Sequence, residues 1–211
     1  DRSSGRDAAA LIETYDLLMT YFDGQVDRSD FGSIRRKLTM RCEEVAGCGI
    51  DRKLAGFRER MEAGHERVSN WAERIETLSD LAPGMEKTYR RGRDAMPAAY
   101  DDPAPERFHE WRKRTKYHWY HCRLLQGVWP VVMKARKTEL SRLTDSLGDE
   151  HDLSVFRETL TREDEPLAGG PTREALLGLI DRRREELRKA AAPLGGRLFA
   201  EKPKHLIRRI N

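Results

Sequence analysis

His109, Arg112, Lys116 and Tyr120 follow one another at intervals of three and four residues, with Lys113 and Arg123 alongside. On an α-helix those intervals line side chains up along one flank, about 5–6 Å apart. Such a column suits a ligand that repeats its negative charge. Arginine forks onto two oxygens, whereas lysine acts as a point charge. Tyr120 can donate one hydrogen bond from a stiff ring, and His109 adds a donor and, when protonated beside phosphate, a charge. A solvated helix face usually mixes signs, but here only Glu110 stands nearby. Polyanion binding is therefore preferred to mere solvation.

These residues need a helix to hold them. Phe108, Trp111, Thr115, Trp119 and Cys122 fall within one narrow sector beside the cations, which predicts a helix from Phe108 to Leu125 with that sector facing a core. Pro105 suits a helix start, and Gly127 and Pro130 mark the end. The shared face of Phe108, Trp111 and Trp119 argues for packing against the interior over stacking on bases.

Further cations lie on neighbouring segments. Lys87, Arg90 and Arg91 oppose Met85, Tyr89 and Met96 on the preceding helix, and Pro97 with DDPAPE forms the connection. Lys134 and Lys137 sit to the side of a helix lined by Met133, Leu140, Leu143 and Leu147. Leu147-Gly148 is expected to end that helix, and Asp149, Glu150, His151 and Asp152 to start another through Phe156 and Leu160. Arg197 and Lys202 belong to a basic tail.

Earlier in the chain, Leu11, Tyr15, Leu18 and Phe22 mark one face of an opening helix, and Ile34 to Val45 a short basic one. Arg52 to Leu78 reads as one long helix buried along Leu54, Phe57, Met61, Val68, Trp71 and Ile75, with Pro83-Gly84 a turn beyond it. Gly5–Leu11 echoes Glu150–Phe156, an Asp opening an apolar helix in each, which hints at an internal repeat.

The chain of 211 residues is 38% hydrophobic and 36% charged, a lean core under a charged surface. Stretches rich in Leu, Ala, Glu, Arg and Lys point to an all-α fold. A net charge of +4 leaves clustering, not bulk charge, to carry the polyanion argument. Three cysteines, Cys42, Cys48 and Cys122, without secreted-type spacing favour reduced thiols and a cytoplasmic setting. No apolar run is long enough to span a bilayer, and no membrane partner is expected. Asp149, His151 and Asp152 read as helix-capping residues, with no second His or Cys cluster to support a metal. Asp145 and Asp152 lack a nucleophile or a Gly-rich phosphate loop beside them, so no catalytic residue, cofactor or enzyme activity is expected.

Together, His109, Arg112, Lys116 and Tyr120 in H-x-x-R-x-x-x-K-x-x-x-Y, Leu147-Gly148-Asp149-Glu150-His151-Asp152-Leu153, Tyr89-Arg90-Arg91-Gly92-Arg93 and Gly196–Pro203 resemble the CHAD domain, the conserved histidine α-helical domain. The resemblance is strong over Met85 to Ile210 and weaker before it, resting there on Arg6-Asp7. It implies two pseudo-symmetric helical halves around a basic groove that binds inorganic polyphosphate, often in polyphosphate granules. Within one domain over 1–211, residues 1–82 form the first half and 83–211 the second. The basic helix that the family pattern places before Arg6-Asp7 is missing from this chain, so the first half is expected to be incomplete.

The expected ligand contacts are His109, Arg112, Lys113, Lys116, Tyr120, Arg123, Lys87, Arg90, Arg91, Lys134, Lys137, Arg197 and Lys202. The competing readings are a nucleic-acid-binding helical protein, a phosphohydrolase or phosphotransferase using His109 or His151, a phosphohydrolase accessory domain, and a bare helical scaffold.

Overall fold

The structure, a computed structural model, describes residues 4–46, 50–69, 77–162 and 167–210. Eight α-helices and no β-strand occur among them: α1 (Ser4–Tyr21), α2 (Gly32–Ala46), α3 (Ile50–Ser69), α4 (Leu78–Asp101), α5 (Pro105–Leu124), α6 (Pro130–Thr161), α7 (Gly170–Leu198) and α8 (Pro203–Ile210). The chain forms two compact units, Asp1–Arg74 with Asp152–Arg184, and Ile75–His151 with Glu185–Asn211. Helices α6 and α7 give residues to both.

In the first unit α1 packs on α2. Tyr15, Leu18, Met19 and Phe22 of α1 are buried, as are Ile34 and Leu38 of α2 and Phe156, Leu160, Leu176 and Ile180 from α6 and α7. Tyr15 meets the Phe156 ring edge-on at 6.4 Å. Two arginines here grip acids. Arg35 grips both carboxylate oxygens of Asp16, at 2.8 and 2.9 Å, and these hydrogen bonds hold the Asp16 carboxyl below its ordinary range. Arg157 pairs with Asp181 at 2.9 Å.

The predicted helix over Arg52–Leu78 differs from what is found. Helix α3 spans Ile50–Ser69, and Leu78 is instead the first residue of α4. Phe57, Met61 and Val68, expected to be buried, are exposed. Trp71 and Ile75 lie outside the described residues, as do the side chain of Leu54 and Cys48.

Helix α4 also runs where breaks were expected. Both Pro83 and Pro97 lie inside it. Proline removes one ladder bond and crowds the preceding turn, but α4 packs on both α5 and α8. At its start the Asp80 carboxylate accepts from the Thr77 backbone N–H at 2.8 Å and from the Thr77 hydroxyl at 3.1 Å.

The core of the second unit gathers Tyr89 and Ala99 of α4, Phe108, Trp111 and Cys122 of α5, Met133, Leu140, Leu143 and Leu147 of α6, and Ala191, Leu194 and Leu198 of α7, with Leu206 and Ile210 of α8. Met85 and Met96 pack against it, as their spacing predicted. Gly195 is required here for close approach. A Cβ on it would overlap the Trp111 indole and come within 2.9 Å of Met96 Sδ. Partly buried, the Arg188 guanidinium of α7 pairs with the buried Glu150 of α6 at 2.6 Å and covers the Phe108 ring at 4.2 Å. The break foreseen at Leu147-Gly148 is absent, because α6 continues from Pro130 to Thr161. Asp149, His151 and Asp152 therefore lie mid-helix, not at a helix start.

Candidate functional site

Helix α5 begins where its sequence says it should, with Pro105 in the first turn and Glu106 beside it, where an acid suits the helix dipole. Its last turn carries Arg123, a cation matched to the negative end. Phe108, Trp111, Thr115 and Cys122 face inward as expected. His118, not Trp119, is the fifth fully buried member of that stripe; Trp119 is only partly buried. The spacing 108, 111, 115, 118, 122 alternates three and four, and that was the signal for His118.

His118 has a structural role. Arg136 of α6 donates from Nε to His118 Nε2 at 3.0 Å, so the imidazole accepts there and is neutral. Burial, and then the adjacent guanidinium, push its pKa well below the ordinary histidine value. Burial lowers that of His121 as well, and raises the Cys122 thiol to about 11. These three groups and Arg136 line a small cleft with Tyr89 and Met133, apart from the cavity that Arg112 and Lys116 line.

On the outer flank of α5 the cations stand free of carboxylates. Glu110, the one acid among them on α5, is held by Arg114, whose Nε lies 2.6 Å from the Glu110 carboxylate. Arg112, Lys113 and Lys116 make no ion pair or hydrogen bond among the described residues. Arg112, Lys116, Trp119 and Tyr120 of α5 face Ser141, Thr144 and Asp145 of α6 across a surface cavity of about 230 Å³. No ion pair joins Asp145 to either cation among the described residues.

Arg112 is positioned by α6. Its side chain lies over Gly148, where an added Cβ would sit 3.4 Å from the Arg112 Nε, and that nitrogen is buried without a hydrogen-bond partner. His109 leans on the ring of His151 with centroids 4.4 Å apart. Gly148 and His151, one turn apart on α6, thus support successive members of the α5 column. Sequence reasoning placed both in a helix break and so missed this, together with the cavity residues Ser141, Thr144 and Asp145.

All thirteen expected contacts belong to the second unit. The structure brings Arg112, Lys116 and Tyr120 into the cavity and sets His109, Lys113 and Arg123 along the same helix, with Arg123 over the Trp119 ring at 5.8 Å. Lys87, Arg91, Lys134, Arg197 and Lys202 are exposed outside the cavity. Arg90 pairs with Glu86, and the Lys137 ammonium donates to Gln126 at 3.1 Å. Among the described residues no group of three or more His, Cys, Asp or Glu could hold a metal ion.

No curated protein and no solved structure matches the chain. A family match does exist, to the CHAD domain over residues 3–161. It takes in the segment where the resemblance rested on Arg6-Asp7 and stops before Gly196–Pro203, so that part of the resemblance lies outside the matched residues. With three-quarters of its length covered, its all-helical fold and the His109–Tyr120 column inside the match, the chain belongs to the CHAD-domain family, which is linked to polyphosphate binding and is generally a binding or accessory module.

Proposed function

We propose that this protein is a non-catalytic module that binds inorganic polyphosphate along the outer flank of α5, with Arg112, Lys116 and Tyr120 at the centre of the contact. The observation that carries the reading is the unpaired state of those cations. Glu110 is spent on Arg114, while Arg112 and Lys116 open onto a cavity of about 230 Å³. A cavity of that size is below the roughly 300 Å³ at which drug-sized pockets begin, and suits a short stretch of a thin polymer. His109, Lys113 and Arg123 extend the column to either side; Lys87, Arg91, Lys134, Lys137, Arg197 and Lys202 supply outlying charge. Association with polyphosphate granules follows from such binding.

Titration calorimetry with long-chain polyphosphate at near-physiological salt tests the reading. Arg112→Glu combined with Lys116→Glu is expected to weaken binding by at least about a hundredfold with helicity unchanged. Full binding by the double variant would remove α5 from the site.

One observation favours nucleic acid as the rival ligand: Trp119 lines the cavity and Tyr120 is 44% exposed, so aromatic surface lies among the cations. Single-stranded nucleic acid as competitor separates the two. Displacement of bound polyphosphate at equal phosphate concentration would favour nucleic acid, and its failure to displace favours polyphosphate.

A further inference from the structure

The tip where α5 ends and α6 begins carries the two most exposed large apolar side chains among the described residues. Leu124 is 79% and Val131 80% exposed, and Val128 between them is 52% exposed. Trp129, at the same tip, presents part of its indole to solvent beneath the Arg209 guanidinium, 6.0 Å from the ring. None of these four serves the core, whose contacts at this end come from Leu125 and Met133. No Asp or Glu occurs in sequence between Glu110 and Glu139, and the acid that reaches this end, Glu201, is paired with Arg209 at 3.1 Å. Arg123 and Lys134 are exposed without carboxylate partners among the described residues, and Lys137 bonds only the neutral Gln126.

A ligand for this tip must satisfy apolar surface and positive charge together. Polyphosphate offers nothing to Leu124 or Val131. A protein groove would have to be apolar at its floor and acidic at its rim. An anionic bilayer has those two properties in that order, with acyl chains beneath and phosphate headgroups above. An indole beside arginine suits the boundary between them. We propose that the α5–α6 tip docks peripherally on an anionic lipid surface. Leu124, Val128 and Val131 enter the acyl boundary, Trp129 lies at headgroup level, and Arg123, Lys134 and Lys137 meet lipid phosphates. The expectation of no membrane partner rested on the lack of a spanning segment, and no described helix is long and apolar enough to cross a membrane. Surface docking needs no span.

Co-sedimentation of the whole chain with vesicles tests this, using phosphatidylcholine alone and phosphatidylcholine with about a third phosphatidylglycerol. The protein should pellet with the anionic vesicles only, and less as salt rises. Leu124→Ser with Val131→Ser should weaken pelleting by about tenfold or more while polyphosphate binding and helicity stay unchanged. Lost pelleting with retained polyphosphate binding shows that the apolar side chains of the tip hold the lipid while the fold and the Arg112–Lys116 contact stay intact. Three results would overturn the proposal. The wild type could stay in the supernatant with both vesicles. The double variant could pellet like the wild type, making charge alone sufficient. The wild type could run as a dimer by light scattering and the double variant as a monomer, making a second copy the occupant.

Discussion

Helices α3 and α5 each space large apolar side chains along one flank, yet in α5 Phe108 and Trp111 are fully buried, while in α3 Phe57, Met61 and Val68 each keep more than half of their surface exposed. The difference lies in the neighbours. Around α5, glycines let other backbones come close: Gly195 of α7 meets the Trp111 indole, and Gly92 of α4 meets the Phe199 ring, where a Cβ would stand 2.7 Å from Cε1. Nothing comparable covers the Phe57 face among the described residues. An amphipathic period defines a face; burial depends on a second surface shaped to receive it.

The largest effect should come from the anchored helix. Trp111→Ala should cost about 3–5 kcal/mol in urea unfolding, the range for a large aromatic removed from a close-packed core. A cost below about 1 kcal/mol would put α5 in the same class as α3. A middle-sized effect should follow pH. His118 is buried neutral, with its pKa lowered by burial and by Arg136, so the unfolded chain takes up a proton near pH 6.5 that the folded chain refuses. Its contribution is therefore complete above that pH and is lost as pH falls below it, at up to about 1.4 kcal/mol per pH unit for one proton. His118→Gln, which keeps an acceptor for Arg136, should flatten the loss between pH 7 and pH 5. An unchanged slope would clear His118. The smallest effect belongs to α3: Phe57→Ser with Met61→Ser should shift stability by no more than about 0.5 kcal/mol. A much larger loss would show that this face is covered after all.

The sequence was most readable where local chemistry and packing agree. Pro105 begins α5, the apolar sector of α5 faces the core, and Met85, Tyr89 and Met96 share the inner face of α4. It misled where tertiary packing overrides a local breaker. Pro83, Pro97 and Gly148 each carry a stop signal, and each lies inside a continuous helix whose neighbours hold it. The α5 cations of the candidate site could be named from their spacing. Their α6 partners could not, because Gly148, His151 and Asp145 show their part only once α6 is seen to run unbroken past Arg112 and His109. His118 was a matter of one helical position, where an indole and an imidazole three and four residues from their neighbours compete for the same inward slot.

The bare backbone at Gly148 has a consequence for how a ligand would be met. Lys113 and Lys116 project with long, freely turning stems, and a ligand that fixes them must overcome roughly 0.5–1.5 kcal/mol of rotamer entropy for each. Arg112 lies against α6 with its Nε buried, so much of its freedom is gone before any ligand arrives. The column thus combines one preset fork with several adaptable charges, a fixed point from which a flexible chain can be taken up phosphate by phosphate.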